Sequence, residues 1–204
     1  MLYYSTIDPA TLELLKQIQL MDEFSKLRLV GGTALALQIG HRKSIDLDFF
    51  GCIDFEQLAN NDLFRGFHSV EVLQRTKNIN IFEINEIKVD FVNYSYPWLQ
   101  KEMTIDSITL AHKEDIAAMK IAAITGRGSK KDFIDLFFLL KIYSLQQILD
   151  FYNKKYFDAS IYLALKSLSY FYDADQEQSP EMIIPLSWET VKSKIKEELI
   201  KYTS

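Results

Sequence analysis

The sequence predicts an α+β fold, and three observations carry that expectation. Strand-like runs crowd the first half, and after Leu110 the hydrophobic period lengthens to that of helices. Within that first half, Leu27 to Phe50 reads as strand, glycine turn, helix and second strand. With 204 residues, 48 % of them hydrophobic and 25 % charged, the chain can build an ordinary globular core rather than a disordered segment. We place the boundary near Thr109, giving a core domain over 1–109 and a helical domain over 110–204.

Asp8-Pro9 opens the first helix, a capping side chain followed by proline at the first helical position, and an apolar face carries it to about Asp22. Leu27, Leu29 and Val30 form a short buried strand that stops at Gly31-Gly32. Thr33 caps a helix over Ala34 to Ile39, and Gly40 ends it. Ile45 to Phe49 alternates apolar and acidic residues, so Asp46 and Asp48 project from one face of a strand. Asp54 to Leu63 reads as a short helix. Ser69 to Arg75, Ile79 to Ile84 and Ile87 to Asn93 read as strands, the last two joined in a hairpin by Asn85-Glu86.

The helical half begins with Lys113 to Ile124 and breaks at Thr125 to Ser129. Lys130 to Tyr143 follows, opened by Ser129 three residues before Asp132 in a capping-box arrangement. Further helices are expected over Leu145 to Asn153, Ala159 to Phe171 and Ser187 to Tyr202, with Asp173 to Pro180 a polar loop.

Bulk properties exclude several classes. The first fifteen residues lack the basic-then-apolar pattern of a signal peptide, and no apolar run approaches a membrane span, so the expectation is a cytoplasmic protein. The single Cys52 excludes an internal disulfide, and His41, His68 and His112 are too scattered for a zinc cluster. A net charge of −5 argues against a general nucleic-acid coat, though local basic patches remain compatible with it.

Two nearby carboxylates repel unless a cation lies between them, and Mg²⁺ commonly takes one or two carboxylates together with substrate phosphates. Alternating acids on a strand are, taken alone, most often a sheet face turned to water. The combination is more specific. Backbone amides after Gly31 and Gly32, with the Thr33 hydroxyl, would face an anion, while Asp46 and Asp48 would hold its metal.

GGTALAL followed by HRKSIDLDFF resembles the nucleotidyltransferases of the polymerase-beta superfamily, and more narrowly the AbiEii/AbiGii toxin group. Lys120, Arg127, Lys130-Lys131-Asp132 and Asp135 resemble that group's C-terminal signature, with Lys131 where the family often has arginine. The resemblance implies a nucleotidyltransferase core with a mixed sheet, and a helical part completing the active-site cleft. It implies Mg²⁺ (or Mn²⁺) at Asp46 and Asp48, Asp90 as a third strand carboxylate that helps the attacking hydroxyl lose its proton, and Asp132 as an active-site residue. Gly31, Gly32, Thr33, Lys120 and Arg127 are the nucleotide-binding candidates. Asp135 is expected to pair with Arg127 and fasten helices. Lys120 lies on an otherwise apolar helix, where an ammonium must reach solvent or find an anion; a triphosphate would serve.

The implied activity is transfer of a nucleoside monophosphate from an NTP to an acceptor hydroxyl, with the 3′ end of tRNA or another RNA as acceptor and an antitoxin as partner. Lys130, Lys131, Lys154 and Lys155 are the RNA-binding candidates. Transfer to a small molecule or protein, and an inactive nucleotide-binding or partner-binding module, are the alternatives.

Overall fold

The computed structural model describes residues 1–53 and 61–204. The fold is α+β, with a mixed sheet of seven strands and a following run of helices among the described residues. The chain separates into two compact units. The first comprises Met1–Gln38, Ser44–Ser95 and Glu102–Ala111; the second comprises Ile39–Lys43, Tyr96–Lys101 and His112–Ser204. Two short segments of the N-terminal half therefore belong with the helical unit, which a single boundary near Thr109 does not capture.

In the first unit, α1 (Pro9–Gln19) leads to β1 (Leu27–Leu29), α2 (Gly31–Ile39) and β2 (Leu47–Gly51). Then come β3 (Val70–Arg75), β4 (Ile79–Ile84), β5 (Ile87–Asn93), β6 (Met103–Ile105) and β7 (Ile108–Leu110). The sheet order is β3-β4-β5-β2-β1-β7-β6. The β2–β5 and β1–β7 pairs are parallel; the others are antiparallel. The helix expected over Asp54 to Leu63 falls largely outside the described residues, whose next element is a single 3₁₀ turn over Asn61–Phe64.

Alternation explains the layering. Leu47 and Phe49 of β2 and Val89 and Phe91 of β5 are buried on one face, while Asp48 and Asp90 are half-buried on the other. Phe91 stacks on Phe24 at 4.6 Å and on Phe49 at 5.5 Å, and Phe82 meets it edge-on at 5.8 Å. Burying each such ring stabilises the fold by roughly 1.5–3 kcal/mol. That aromatic layer fixes which way the acidic face turns.

Asn85 and Glu86 take positive φ (52° and 65°) in the β4–β5 turn, as the expected hairpin requires. A second hairpin was not expected. Asp106 and Ser107 repeat the same geometry, φ 52° and 64°, between β6 and β7. Asp106 is held by the Tyr4 hydroxyl, which donates to Oδ2 at 2.6 Å.

The second unit contains α3 (Lys113–Gly126), α4 (Lys130–Leu139), α5 (Leu145–Lys155), α6 (Ile161–Leu168), α7 (Tyr172–Gln176) and α8 (Trp188–Thr203). Ser144 and Gln147 form a reciprocal capping box at the start of α5, and Ser160 and Ser187 cap α6 and α8. The stretch read as a polar loop, Asp173 to Pro180, instead begins inside α7. There Asp175 accepts from Trp188 Nε1 at 2.6 Å and Lys192 Nζ at 3.0 Å. The expected helices over 130–143 and 159–171 are also shorter than their apolar patterns, ending at Leu139 and Leu168. Among the described residues, no helix is long and apolar enough to cross a membrane.

Candidate active site

Each unit carries its own group of the residues singled out from the sequence. In the first, β1 feeds directly into α2, and Val30 N–H donates to the Asp48 carbonyl at 2.9 Å, locking the strand end beside β2. Gly31 follows at φ 68°, and a methyl group added there would overlap the Asp48 carboxylate. Asp48 thus lies against the N-terminal turn of α2, where backbone amides and the helix dipole favour negative charge. Gly32, the next residue, is already helical.

Asp90 is the register partner of Asp48 across the parallel β2–β5 pair, so the two carboxylates are neighbours on one face. Lys88, two residues earlier on that face, donates to Asp90 Oδ2 at 2.8 Å, and its Nζ lies 2.7 Å from Oδ1. Asp90 Oδ1 is buried, with the Lys88 ammonium as its charged neighbour but no hydrogen bond of regular geometry. Lys88 was not anticipated, although its spacing of two from Asp90 is the signal that would have found it.

Asp46 sits one residue before β2 rather than within it, half-buried. Thr33 does not cap α2, which begins three residues earlier than expected. It is buried, its hydroxyl donates to the Asp46 carbonyl, and it pairs with the Ser44 hydroxyl at 2.8 Å. Thr33 therefore holds the approach to β2 in place, with its hydroxyl directed into protein.

Among the described residues, no three His, Cys, Asp or Glu side chains are grouped as a ready metal site. The donor set present is smaller: neighbouring carboxylates at Asp48 and Asp90, the latter paired with Lys88, and Asp46 two residues from Asp48. That set fits a hard cation which completes its shell with substrate phosphates and water.

The second unit gathers Lys120, Arg127, Asp132 and Asp135 into one buried charge cluster. Lys120, 4 % exposed, reaches Asp132 Oδ1 at 2.9 Å and Asp135 Oδ2 at 2.6 Å. The anion it finds is a pair of carboxylates one helix turn apart on α4. Asp132 also accepts from Arg127 Nε at 2.9 Å and Nη2 at 3.2 Å, and from the Ser129 hydroxyl at 2.7 Å. Ser129 thus binds the Asp132 side chain instead of capping the backbone, so the expected capping box does not form. Asp135 pairs not with Arg127 but with Arg42, whose Nε and Nη2 donate to its two oxygens at 2.7 and 2.9 Å. His41 Nε2 lies 2.8 Å from Asp135 Oδ1. Neither His41 nor Arg42 was singled out from the sequence, and no local pattern ties them to a residue more than ninety positions away.

Burial disfavours charge on both aspartates, yet the surrounding cations outweigh it. Lys120 and Arg127 bring Asp132 down to about 2, and Lys120 and Arg42 hold Asp135 well below the usual carboxylate range. Burial, with Arg42 and Lys120 adding to it against Asp135, lowers His41, which is therefore neutral and donates through Nε2. Three cations, Lys120, Arg127 and Arg42, converge on these two carboxylates. Of these side chains Arg127 reaches solvent, at 63 % exposure.

Two of the four lysines expected to contact RNA are buried. Lys155 pairs with Asp115 at 2.7 Å, donates to the Pro97 carbonyl at 2.9 Å and lies 4.4 Å over the Trp98 ring. Lys130 donates to the Glu177 carbonyl and lies 5.4 Å over the Trp188 ring. Neither ammonium faces solvent, because each is enclosed by an aromatic ring and backbone oxygen. Lys131 and Lys154 are exposed.

The family model described as "Nucleotidyl transferase AbiEii toxin, Type IV TA system" matches residues 13–200. The chain belongs to the AbiEii family. An uncharacterised protein of Aquifex aeolicus (strain VF5) is 38 % identical over 180 residues, covering 85 % of this chain and 86 % of that one. Among solved structures, JHP933 from Helicobacter pylori matches with a TM-score of 0.62 at 18 % identity, over 96 % of this chain and 92 % of that one. The antibiotic-resistance factor ANT(2″)-Ia matches with a TM-score of 0.55 at 12 % identity, over 71 % and 88 %. These two likenesses are likenesses of fold. As an AbiEii member the chain is a nucleotidyltransferase, and its toxin family is that of type IV toxin–antitoxin systems.

Proposed function

We propose that this nucleotidyltransferase moves a nucleoside monophosphate from an NTP to the 3′ hydroxyl of an RNA, releasing pyrophosphate. The observation that carries the reading is the Asp48–Asp90 pair on one sheet face, with Asp48 lying against Gly31 at the start of α2. The acceptor oxygen attacks the α-phosphorus, the bond to the bridging oxygen breaks, and that oxygen leaves on pyrophosphate. Asp90 takes the proton from the attacking hydroxyl, oriented by Lys88. Gly31 and Gly32 let phosphate oxygens approach the first amides of α2, and Thr33 positions Asp46 through its carbonyl. Asp46 and Asp48, with Asp90, would hold Mg²⁺ or Mn²⁺, which when bound withdraws charge from the phosphate oxygens. In the second unit, Arg127 is assigned to phosphate recognition. Asp132 and Lys120 act as positioning residues, because both are consumed by the buried cluster.

An RNA acceptor is supported by the toxin family and by exposed basic side chains at Arg127, Lys131 and Lys154. An antitoxin protein is the partner that family membership suggests. The test is incubation with α-labelled NTPs, a divalent cation and total cellular RNA. Label in a discrete RNA species, tRNA foremost, supports the reading. Label in protein or in a small molecule moves the same chemistry to another acceptor.

A further inference from the structure

Asp90 has two unlike neighbours across its strand. Its register partner on β2 is Asp48, a like charge, and its register partner on β4 is Ile81, which offers no counter-charge. Val89 and Phe91 are buried on the opposite face, so Lys88 and Asp90 stay together on this one. The Lys88 ammonium lies 2.7 Å from Oδ1 and 2.8 Å from Oδ2, spanning both carboxylate oxygens. Among the described residues it is the cation within ion-pair reach of Asp90. Glu83, opposite Lys88 across β4–β5, is exposed. A fully solvated lysine–aspartate pair would count for little, but here the Asp90 side chain is only 18 % exposed and its Oδ1 is buried.

From this arrangement we propose that Lys88 is a resident cation of the carboxylate face, and that the chain therefore binds one divalent cation there rather than two. Phosphoryl-transfer sites with two divalent cations hold them about 3.5–4 Å apart, one beside the attacking oxygen and one beside the leaving oxygen. A carboxylate on the attacking side must then offer open oxygens. In this chain both oxygens of Asp90 already face an ammonium, and a divalent cation brought onto them would meet a like charge in a partly desolvated place. Lys88 is therefore assigned to the attacking side, where it neutralises Asp90 beside Asp48 and holds that carboxylate for the acceptor hydroxyl. The divalent cation that accompanies the NTP stays with Asp48 and Asp46. Given the nucleotidyltransfer reading on which this rests, Lys88 is the residue that sets the number of cations.

The test counts Mn²⁺ bound to the full chain instead of turnover. Wild type, Lys88→Met, Lys88→Arg and Asp48→Asn are dialysed to equilibrium against Mn²⁺ and a saturating labelled NTP analogue. A methylene bridge between its α- and β-phosphates keeps the analogue from releasing pyrophosphate. The excess of Mn²⁺ and of analogue in each protein compartment gives the cations per bound nucleotide. The Lys88 side chain is 42 % exposed, so its variants should melt close to wild type. One Mn²⁺ in wild type and in Lys88→Arg, with two in Lys88→Met, supports the proposal. The second Mn²⁺ should bind Lys88→Met at least about tenfold more tightly than it binds wild type. Two Mn²⁺ in wild type, or one in Lys88→Met, overturns the proposal and leaves the carboxylate reading in place. A wild-type chain that holds no nucleotide or holds it without Mn²⁺, or an Asp48→Asn chain that matches wild type, overturns both.

Discussion

At the scale of single residues, Lys120 and Gly31 illustrate how context decides a role. A helix lysine ordinarily contributes little to stability, but this one is buried between two carboxylates. Lys120→Met leaves Asp132 and Asp135 with fewer counter-charges in a water-excluded cluster. We expect a loss of about 3–5 kcal/mol in denaturant unfolding, the usual consequence of removing one partner from a buried ion pair. A loss under about 1 kcal/mol would mean the cluster is solvated and weak. Gly31→Ala combines a positive φ with an overlap on Asp48. It should displace the Asp48 carboxylate, lower the melting temperature and suppress transfer; normal activity would show that Asp48 need not lie there. Asp46, Asp48, Asp90, Lys120 and Asp132 stand out in the sequence by spacing and resemblance. What each touches is not legible there, because the partners Arg42 and His41 come from a distant segment.

At the scale of elements, hydrophobic alternation made β4 and β5 and their turn legible, since each strand is long enough to show a period of two. The β6–β7 hairpin was not, because three residues cannot display a period and Asp106-Ser107 lacks the glycine that marks such turns. Glu86 offers a direct test of turn chemistry. Its φ of 65° is one that glycine adopts without strain, so Glu86→Gly should stabilise the first unit by about 1 kcal/mol in urea. Destabilisation would mean that the Glu86 side chain makes a contact outweighing backbone strain. The two adjacent lysines that end α5 separate in the same way. Lys155→Glu places a second negative charge beside Asp115 in the core and should prevent stable folding, while Lys154→Glu on the exposed side should change stability by less than about 0.5 kcal/mol. Equal melting temperatures for the two variants would contradict the burial of Lys155.

At the scale of the whole molecule, the charge cluster predicts acid sensitivity. Its cationic neighbours bring Asp132 down to about 2 in the folded chain against 3.8 ordinarily, and hold Asp135 well below the usual carboxylate range. A depressed carboxylate contributes stability that is complete above its unfolded value and lost as pH falls through the folded one. Asp132 alone accounts for about 2 kcal/mol, given up progressively between about pH 4 and pH 2. Unfolding free energy measured across that window should fall steeply in wild type and less steeply in Asp132→Asn.

Nucleotidyl transfer is assigned to the carboxylates of the first unit. The most direct measurement is the rate of pyrophosphate release from NTP with Mg²⁺ and total cellular RNA, for wild type and Asp48→Asn, alongside their melting temperatures. Wild type should release pyrophosphate and Asp48→Asn should do so at least about 10²-fold more slowly at an unchanged melting temperature, because one carboxylate leaves the metal-binding pair without disturbing the aromatic layer beneath it. Equal rates for the two proteins would contradict that assignment.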